Sequence, residues 1–436
     1  MQGLIVLWAL LIALPAYAAD LRIYHIDVEQ ADATLILSPS GKTLLVDSGK
    51  NGQGSRLKAV MDQAGVTQID HFLATHYHED HYGGIDELVE DEGVTAVQAY
   101  DRGDKVYLPA STTNAATYKD YQRAVGEDAE HLKRGETIAL DPQMSVTCIS
   151  SGGVVIGEDP AVHGRDENDM SVSLLVTYGG FRYFVGGDIE AATEAKIAAR
   201  DLVRDVDVYQ ANHHGSDTSS SADFLKDLSP TVIVISNGNH AGYGHPKETT
   251  LEFFAGPELT PKPTVFQTNK YLAGARGGGN VGDAFIADPE TVDDDGTILV
   301  TVDSAASRYT VSYGANTMHT FAVKGSGSTG AVVIENLLPN PVGNDAELEE
   351  VTLRNRGTES VSLVGWTLVD QAGSLWDLTA MGTIAPGESA TVVRNGMAMS
   401  LNNSGDVITV KDFAGHAVDS FSYTGSNEGE PLETGH

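Results

Sequence analysis

Residues 75–84 read THYHEDHYGG, a stretch that places three histidines and the carboxylate of Asp80 within six residues. It directly follows the apolar run Ile69–Ala74, which is typical of a buried strand. A histidine-rich surface loop or a capped helix start would account for the histidines alone. Neither accounts for their position between a buried strand and a Gly-Gly pair, which fix the side chains at one place in the fold. The sequence therefore predicts a metal site in this stretch.

The spacing of these residues divides them into two pairs of metal ligands. His76 and His78 are two positions apart, so in extended or turning backbone their rings point to the same side. Asp80 and His81 come together where the chain is predicted to turn into a helix that starts near Gly83. Imidazole nitrogens and carboxylate oxygens are common ligands of divalent cations. One pair is therefore predicted to hold a first cation, and the other pair a second cation close by.

The pattern His-x-His-x-Asp-His resembles that of the metallo-β-lactamase superfamily, and other segments narrow the resemblance. In chain order these segments are His25–Thr34 (HIDVEQADAT), Leu44–Gly49 (LLVDSG), Asn168–Val176 (NDMSVSLLV), Phe184–Glu190 (FVGGDIE), Asn212–Ser216 (NHHGS) and Tyr243–Pro246 (YGHP). Over residues 20–315 the chain resembles the extracytoplasmic hydrolase domain of the DNA-uptake protein ComEC and its free-standing secreted relatives. The resemblance implies an α/β fold, the αββα sandwich, with the metals where strand-end loops converge.

The apolar pattern agrees with this fold because short strands alternate with helices. The main helices are predicted at Ser55–Gln63, Ile189–Ala199, Ser221–Leu228 and Pro246–Phe254. Residues 107–128 include Tyr118 and Tyr121 and are predicted to form an ordinary surface helix. The alternative for this segment is a border of the catalytic cleft.

The resemblance also implies the remaining metal ligands. Asp188 follows Gly-Gly after an apolar strand and matches the carboxylate that bridges both cations; the alternative is a helix N-cap. His245, in Tyr-Gly-His-Pro, matches the last histidine of the set. Many members have another histidine shortly before the equivalent of Ser171, where this chain has Asn168, and His163 lies nearby. The resemblance implies two divalent cations. Because the ligand set is rich in oxygen and poor in histidine, Mn²⁺ is expected as an alternative to Zn²⁺.

Further catalytic roles follow from the same resemblance. Besides Asp80, the catalytic candidates are His214, His213 and Ser216. The histidines, His214 ahead of His213, would donate to a developing charge, and Ser216 with nearby amides would favour an anion such as phosphate. A buried structural histidine pair with a capping serine is the alternative. Asp47 is predicted to orient a metal-binding histidine.

The segment after the first strand matches a glycine-rich element of the family through Asp27, Gln30 and Asp32. Glu29 and Ala31 replace its two glycines. Close approach of a substrate to the backbone is therefore not expected at this point.

The expected reaction is hydrolysis of a phosphodiester. A hydroxide that bridges the two cations, held by Asp80, His81 and Asp188, is the expected nucleophile. The resemblance favours phosphodiesters, with extracellular DNA as the leading substrate. The ligands alone leave two alternatives open. One is a metallo-hydrolase of another bond, in a lactone, a lactam or a phosphocholine-decorated polymer, and the other is a non-catalytic, metal-bound binding protein.

The chain is strongly acidic, with a net charge of −34. Residues 331–436 contain 15 acidic and 4 basic residues, and the rest contains 46 and 23, so the acidity is spread over the chain. This distribution favours a solvated acidic surface and argues against tight non-specific attachment to DNA, which needs Lys and Arg. The single cysteine, Cys148, excludes an intramolecular disulfide and is predicted to be a buried small hydrophobe.

The N-terminus predicts export. Residues 1–18 contain the apolar stretch Leu4–Leu14, then Pro15 and Ala-Tyr-Ala, the pattern of a secretory signal cleaved after Ala18. No Lys or Arg precedes the apolar stretch. An uncleaved anchor is the alternative, although the stretch is short for a span. The protein is expected to be secreted, periplasmic or on the cell surface, without stable membrane insertion.

The C-terminal part differs in character. After a hydrolase domain predicted over 19–323, residues 324–330 (KGSGSTG) are predicted to be a flexible linker. Residues 331–426 resemble the lamin-tail domain, a small all-β immunoglobulin-like sandwich, and 427–436 are predicted as a tail. Trp366 and Trp376 are predicted to lie in its core. The expected role of this domain is to bind a polymer or a surface component.

Overall fold

The computed structural model describes residues 19–435 apart from 104–107, 126–128, 159–165, 241, 273, 275, 290–295, 316, 325–331, 358–359 and 413–416. The predicted signal peptide 1–18, His163 and all but Lys324 of the predicted linker lie outside the described residues. Within the described residues, no helix combines the length and the apolar character needed to cross a membrane.

Two large sheets build the part of the chain before residue 324. Its strands are β1 (Leu21–His25), β2 (Thr34–Leu37), β3 (Thr43–Val46), β4 (Gln68–Leu73), β5 (Thr95–Asp101), β6 (Glu130–His131), β7 (Met144–Ser151), β8 (Val154–Val155), β9 (Ser173–Tyr178), β10 (Phe181–Val185), β11 (Val208–Gln210), β12 (Val232–Ile235), β13 (Thr264–Asn269), β14 (Ile286–Asp288), β15 (Ile298–Val302), β16 (Arg308–Tyr313) and β17 (Thr317–Ala322). The first sheet has the order β17-β16-β15-β1-β2-β3-β4-β5-β6, and the second has the order β14-β13-β12-β11-β10-β9-β7-β8.

Helices connect these strands. They are α1 (Gly54–Ala64), α2 (Glu79–Tyr82), α3 (Ala110–Asn114), α4 (Ala116–Val125), α5 (Ala191–Ala199), α6 (Ala222–Leu228) and α7 (Glu248–Ala255), with a π-helix at Glu87–Asp91 and short 3-10 helices at Asn168–Met170, Asn212–Gly215 and Asp283–Phe285. The four main helices predicted from the sequence are α1, α5, α6 and α7, each with slightly different ends.

Each sheet separates two apolar cores, because alternate residues of a strand point to opposite faces. In β1, Leu21 and Ile23 lie in the core between the two sheets, whereas Tyr24 belongs to the core under α1 and α4. In β10, Tyr183 faces the first of these cores, and Phe184 packs with α5, α6 and α7 on the other side. The layers are therefore helix, sheet, sheet and helix, and the predicted αββα sandwich is confirmed. Cys148 is buried in the inter-sheet core.

Two local predictions agree with the structure. The short helix α2 (Glu79–Tyr82) ends before Gly83, whose N–H donates to the carbonyl of Glu79 at 2.9 Å, and the predicted helix starts at Ile85, just after Gly84, and continues into the π-helix Glu87–Asp91. The helix α4 is the predicted surface helix, and only one face of it is buried. Its Tyr118 and Tyr121 are buried against the aromatic residues of the 75–84 stretch, with ring centroids 5.7 Å apart for Tyr77 and Tyr118. The aromatic side chains of α4 therefore pack against the stretch 75–84.

The C-terminal part is an all-β sandwich. Its elements are β18 (Val332–Leu338), α8 (Asp345–Leu348), β19 (Glu350–Asn355), β20 (Val361–Ser362), β21 (Thr367–Val369), β22 (Leu375–Asp377), a 3-10 helix (Thr379–Met381), β23 (Thr383–Ile384), β24 (Ser389–Val393), β25 (Asp406–Lys411), β26 (Ala417–Tyr423) and β27 (Leu432–Glu433). Two four-stranded sheets, β24-β19-β18-β27 and β22-β21-β25-β26, enclose a core that contains Trp366 and Trp376, as predicted. β27 lies inside the segment predicted as a tail and pairs with β18.

Candidate metal centre

Loops that follow five strands meet at one place. The stretch 75–84 follows β4, Asp188 follows β10, and the two histidines of the Asn-His-His-Gly-Ser motif follow β11. The loops after β1 and β12 supply Asp32 and His245. Strands β3 to β5 are parallel, as are β10 to β13, so the carboxyl ends of neighbouring strands bring their loops to the same edge of each sheet.

A first group of ligands consists of His76, His78 and Asp188, whose ligand atoms lie within 4.8 Å of one another. His76 Nε2 is 3.0 Å from His78 Nδ1 and 3.8 Å from Asp188 Oδ2. His213 faces the same carboxylate oxygen, with its Nε2 3.7 Å away. His213 and His76 therefore face the same oxygen of Asp188.

A second group consists of Asp32, His81, Asp188 and His214, all of them buried. His81 Nε2 is 3.3 Å from Asp188 Oδ1, and His214 Nε2 is 3.5 Å from Asp80 Oδ2. Four buried atoms in this group find no hydrogen-bond partner of acceptable geometry among the described residues: Asp32 Oδ2, His81 Nε2, Asp188 Oδ1 and His214 Nε2. Asp188 thus belongs to both groups.

Asp47 sets the direction of the His81 ring. Its Oδ2 is 2.8 Å from His81 Nδ1, while its Oδ1 accepts the backbone N–H of Thr75 at 2.7 Å. A ring that donates through Nδ1 presents a lone pair at Nε2, the atom that points to Asp188. This is the contact that the sequence predicted between Asp47 and a histidine of the site.

Replacing Asp47 by asparagine is expected to weaken metal affinity roughly 10- to 100-fold, because the amide no longer holds the His81 ring with a charged acceptor. The substitution is not expected to strain the backbone, since Asp47 has a φ of 58° and asparagine tolerates this left-handed region. Metal titration by calorimetry measures the effect.

The control for this variant is Asp201→Asn, which makes the same change at a φ of 55° on an exposed residue. It should bind metal as the wild type does. Equal affinity of the Asp47 variant and the wild type would show that the Asp47–His81 contact does not tune the site.

The loop after β11 has a rare backbone conformation. His213 and His214 have φ values of 52° and 54°, and Gly215 has 76°. A non-glycine residue in this region costs about 1–3 kcal/mol, so the surrounding structure must hold two of them in succession. The carbonyl of Gly215 accepts the N–H of Lys247 at 3.0 Å, and His214 Nδ1 lies 3.1 Å from the carbonyl of Ser236. This backbone conformation turns the imidazoles of His213 and His214 towards the candidate metal centre.

Asp32 is a member of the second group that sequence reasoning treated only as part of a family element. Its Oδ1 accepts a hydrogen bond from Gln210 Nε2 at 3.0 Å, which leaves Oδ2 facing His214 at 3.7 Å. Gln210 is fixed in turn by Thr34 and Tyr183, which donate to its Oε1. In the sequence, the feature that could have indicated this ligand is an acidic residue, Asp32, in the loop after a buried strand.

The other predicted residues have different surroundings. His245 belongs to neither ligand group; its ring lies 5.3 Å from that of His213, and its buried Nδ1 has no hydrogen-bond partner among the described residues. Asn168 Oδ1 is also buried and unpaired within the described part of the chain. The Ser216 hydroxyl bonds to Thr218 within its own turn, which lends no support to contact with an anion. The roles of these residues stay predictions.

A cavity of about 300 Å³ opens onto these groups. Its walls combine histidines, carboxylates, amides and one tyrosine, namely Gln30, His78, Glu79, Asp80, Asn168, Asp188, His213, His214, Tyr243 and His245. A substrate can therefore reach both ligand groups from one side.

Burial and charge decide the protonation of the metal-free site. Burial raises the pKa of Asp32 to about 6, despite the neighbouring His214 and His81. Burial also lowers the pKa of His214, but Asp32, Asp188 and Asp80 outweigh it and raise this pKa to about 9. The pKa of His245 falls to about 3, mainly through burial. The carboxylates therefore favour a positive charge on the His214 ring itself, whereas burial favours the neutral imidazole of His245.

These residues fit divalent cations. Buried, unpaired ligand atoms cost free energy unless something binds them, and here four converge within one group. The donors are imidazole nitrogens and carboxylate oxygens, which suit both Zn²⁺ and Mn²⁺. Sharing of Asp188 by the two groups fits two neighbouring cations.

Comparison with known proteins agrees with the fold. A model of the metallo-beta-lactamase superfamily matches residues 26–236, and a Lamin Tail Domain model matches residues 326–425. ComE operon protein 3 of Bacillus subtilis (strain 168) is 24% identical over 264 residues, which cover 56% of this chain and 32% of the relative. Recombination protein 2 of Haemophilus influenzae is 28% identical over 232 residues, which cover 52% and 25%.

The chain thus spans a third or less of the length of these relatives. Among solved structures, Zn²⁺-bound PqqB from Methylobacterium extorquens is 15% identical with a TM-score of 0.33, and the match covers 55% of this chain and 85% of that chain. By the family models, residues 26–236 match the metallo-β-lactamase superfamily and residues 326–425 match the lamin tail domain, and the curated relatives to which the chain is similar are ComEC-like competence proteins.

Proposed function

We propose that this protein is an exported, metal-dependent phosphodiester hydrolase, and that its substrate is extracellular DNA. The observation that carries the proposal is the pair of ligand groups that share Asp188 at the base of one open cavity. Two adjacent cations beside a substrate cavity suit in-line displacement at phosphorus, where both the attacking and the leaving oxygen need stabilisation.

The relatives support DNA as the substrate class. Their names refer to recombination and to the ComE operon, and a further relative, from Neisseria gonorrhoeae, is named competence protein ComA. Recombination and competence concern DNA.

Each side chain has a distinct task in this proposal. His76, His78, His81, His214, Asp32 and Asp188 would hold the cations. Asp80 belongs to neither ligand group, but it lines the cavity with its Oδ2 3.5 Å from His214 Nε2, and its predicted part in holding a cation and the nucleophile is kept in this proposal. When bound, the cations supply a water of low pKa as nucleophile and neutralise charge on the phosphate. Asp47 keeps His81 in its orientation, and the strained loop fixes His214. His213 lines the cavity and is assigned to hydrogen bonding with phosphate oxygens.

Export is the second part of the proposal. It rests on the apolar stretch and the Ala-Tyr-Ala sequence in residues 1–18, which lie outside the described residues. An acidic protein surface does not attract DNA electrostatically. In this proposal the bound metal cations therefore supply most of the attraction for the phosphate.

Removal of the metals is expected to abolish hydrolysis and to lower the melting temperature. A ligand that binds only the folded state stabilises it by about 2.7 kcal/mol at 100 times its dissociation constant. The test is a panel of plasmid DNA, single-stranded DNA, a chromogenic phosphodiester, a lactone and a cephalosporin. It is run before and after chelation, with Zn²⁺ or Mn²⁺ added back and with Asp80→Ala as the site variant.

Cleavage of the lactone or the cephalosporin without cleavage of any phosphodiester would refute the proposed substrate class. Bound metal without turnover on any substrate would favour a binding protein instead. Hydrolysis that survives complete removal of metal would show that the ligand groups do not carry the reaction.

A further inference from the structure

One aromatic side chain stands in solvent at the mouth of the cavity. Tyr243 is 54% exposed and lines the cavity together with His245. Its ring lies 4.7 Å from that of His240 at an angle of 32°, and 5.9 Å from that of His245 at 35°. These three rings, each tilted against its neighbour, therefore lead from the surface to the candidate metal centre. We call the two exposed members, His240 and Tyr243, the aromatic ledge.

The loop that carries the ledge is held against the protein. Gly238 packs so closely on the turn after β1 that a Cβ at this position would lie 2.2 Å from the backbone nitrogen of Gln30. Its N–H donates to Gln30 Oε1 at 3.3 Å. Next to it, Asn239 Oδ1 accepts the N–H of Leu272 at 3.0 Å. A ring on an anchored loop offers a binding surface with little loss of entropy when a ligand arrives.

A second cavity, of about 230 Å³, lies on the other side of Gln30 and is bordered by His240. Two lysines line it, but each pairs with a carboxylate: Lys50 with Glu29, and Lys270 with Asp283 at 2.9 Å. Amide groups, including that of Asn269, contribute further hydrogen-bonding atoms to its wall. Because the positive charges of both lysines are neutralised, this cavity suits an uncharged planar group with a polar edge better than a phosphate.

We propose that the aromatic ledge stacks on one unpaired base of a nucleic-acid strand, next to the phosphate at the candidate metal centre. This inference rests on the proposed function and adds how the substrate is held. Every base has a π-face, so stacking on an aromatic side chain tolerates different sequences. In a duplex both faces of a base are covered by its neighbours, so the ledge takes bases from single strands or opened ends. Stacking also gives affinity that the acidic surface does not provide through phosphate contacts.

The test compares Tyr243→Ala and Tyr243→Phe on two substrates. One is a single-stranded DNA oligonucleotide, and the other is methyl p-nitrophenyl phosphate, a phosphodiester without a base. The alanine variant is expected to lose roughly 5- to 150-fold in kcat/KM on the oligonucleotide, mainly through KM. It should keep its activity on the small ester, because the metal-ligand groups are untouched. The phenylalanine variant keeps the ring and should act as the wild type does on both substrates.

Met318→Ala is the control, because it removes a large side chain that is also exposed (66%, against 54% for Tyr243) and lies on β17, outside both cavities. Anisotropy of the labelled oligonucleotide on metal-free wild type and Tyr243→Ala reports binding without turnover. Equal losses on both substrates would show that Tyr243 only supports His245 and would overturn the inference, as would no loss on either. If the wild type cleaves neither substrate, the proposed function fails. The ledge is then judged by anisotropy alone, where equal binding by both proteins overturns it.

Discussion

Asp188→Asn is expected to lower hydrolysis roughly 1,000-fold or more and to reduce the amount of bound metal, because this single carboxylate serves both ligand groups. Its Oδ1 faces His81 at 3.3 Å, and its Oδ2 faces His76 at 3.8 Å and His213 at 3.7 Å. Asparagine preserves the shape of the side chain but offers one oxygen and no negative charge. Metal content by mass spectrometry and kcat/KM on a chromogenic phosphodiester measure the two effects.

Asp62→Asn is the matched control for this variant, since Asp62 is an exposed residue of α1 that pairs only with Lys58 among the described residues. It should retain metal and activity. If Asp188→Asn held its full complement of metal and turned over normally, the shared-carboxylate arrangement would be wrong.

Trp376→Ala is expected to destabilise the C-terminal sandwich by about 3–5 kcal/mol, the usual cost of removing a large aromatic side chain from a core. Trp376 has no exposed surface and packs among Leu368, Trp366 and other core residues. Its Nε1 donates to the carbonyl of Met399 at 2.9 Å, so truncation also leaves a buried acceptor without its partner. Denaturant unfolding followed by the fluorescence of Trp366 measures the loss.

Trp376→Phe separates packing from hydrogen bonding, because phenylalanine keeps a ring but has no N–H. It should cost less than the alanine variant, about 1–3 kcal/mol. A Trp376→Ala protein that unfolds at the wild-type denaturant concentration would contradict the position of this residue in the core. The only tryptophan outside this domain is Trp8, which lies in the predicted signal peptide.

Local patterns in the sequence were sufficient to predict the main helices and the histidine ligands, whereas the layers of the fold followed from the family resemblance. The four predicted helices are present as α1, α5, α6 and α7. The spacing of His76, His78 and His81 after a buried strand predicted ligands that the structure brings together. Aromatic residues near 107–128 were visible too, but the burial of Tyr118 and Tyr121 on the inner face of the predicted surface helix depends on what packs against them.

The parts that could not be predicted depend on contacts between distant residues. Asp32 enters the second ligand group because Gln210, 178 residues later, orients it. His213 and His214 take a backbone conformation that their residue types disfavour, so no local pattern indicates which ring faces which oxygen. Strands β13 to β17 complete both sheets, yet β15 finds its place only by pairing with β1 at the other end of the domain.

The long reach of these contacts has a consequence for the order of folding. Gly238 binds Gln30 across 208 residues, and Asn269 binds Asp27 across 242 residues. Closing loops of this length costs entropy before any contact compensates for it, so such contacts form late. A chain that has folded only through the loop after β10 holds the histidine stretch and Asp188, and so the first ligand group, but lacks His214 and the residue that orients Asp32. Binding of a second cation is therefore expected to report that folding of the domain is complete.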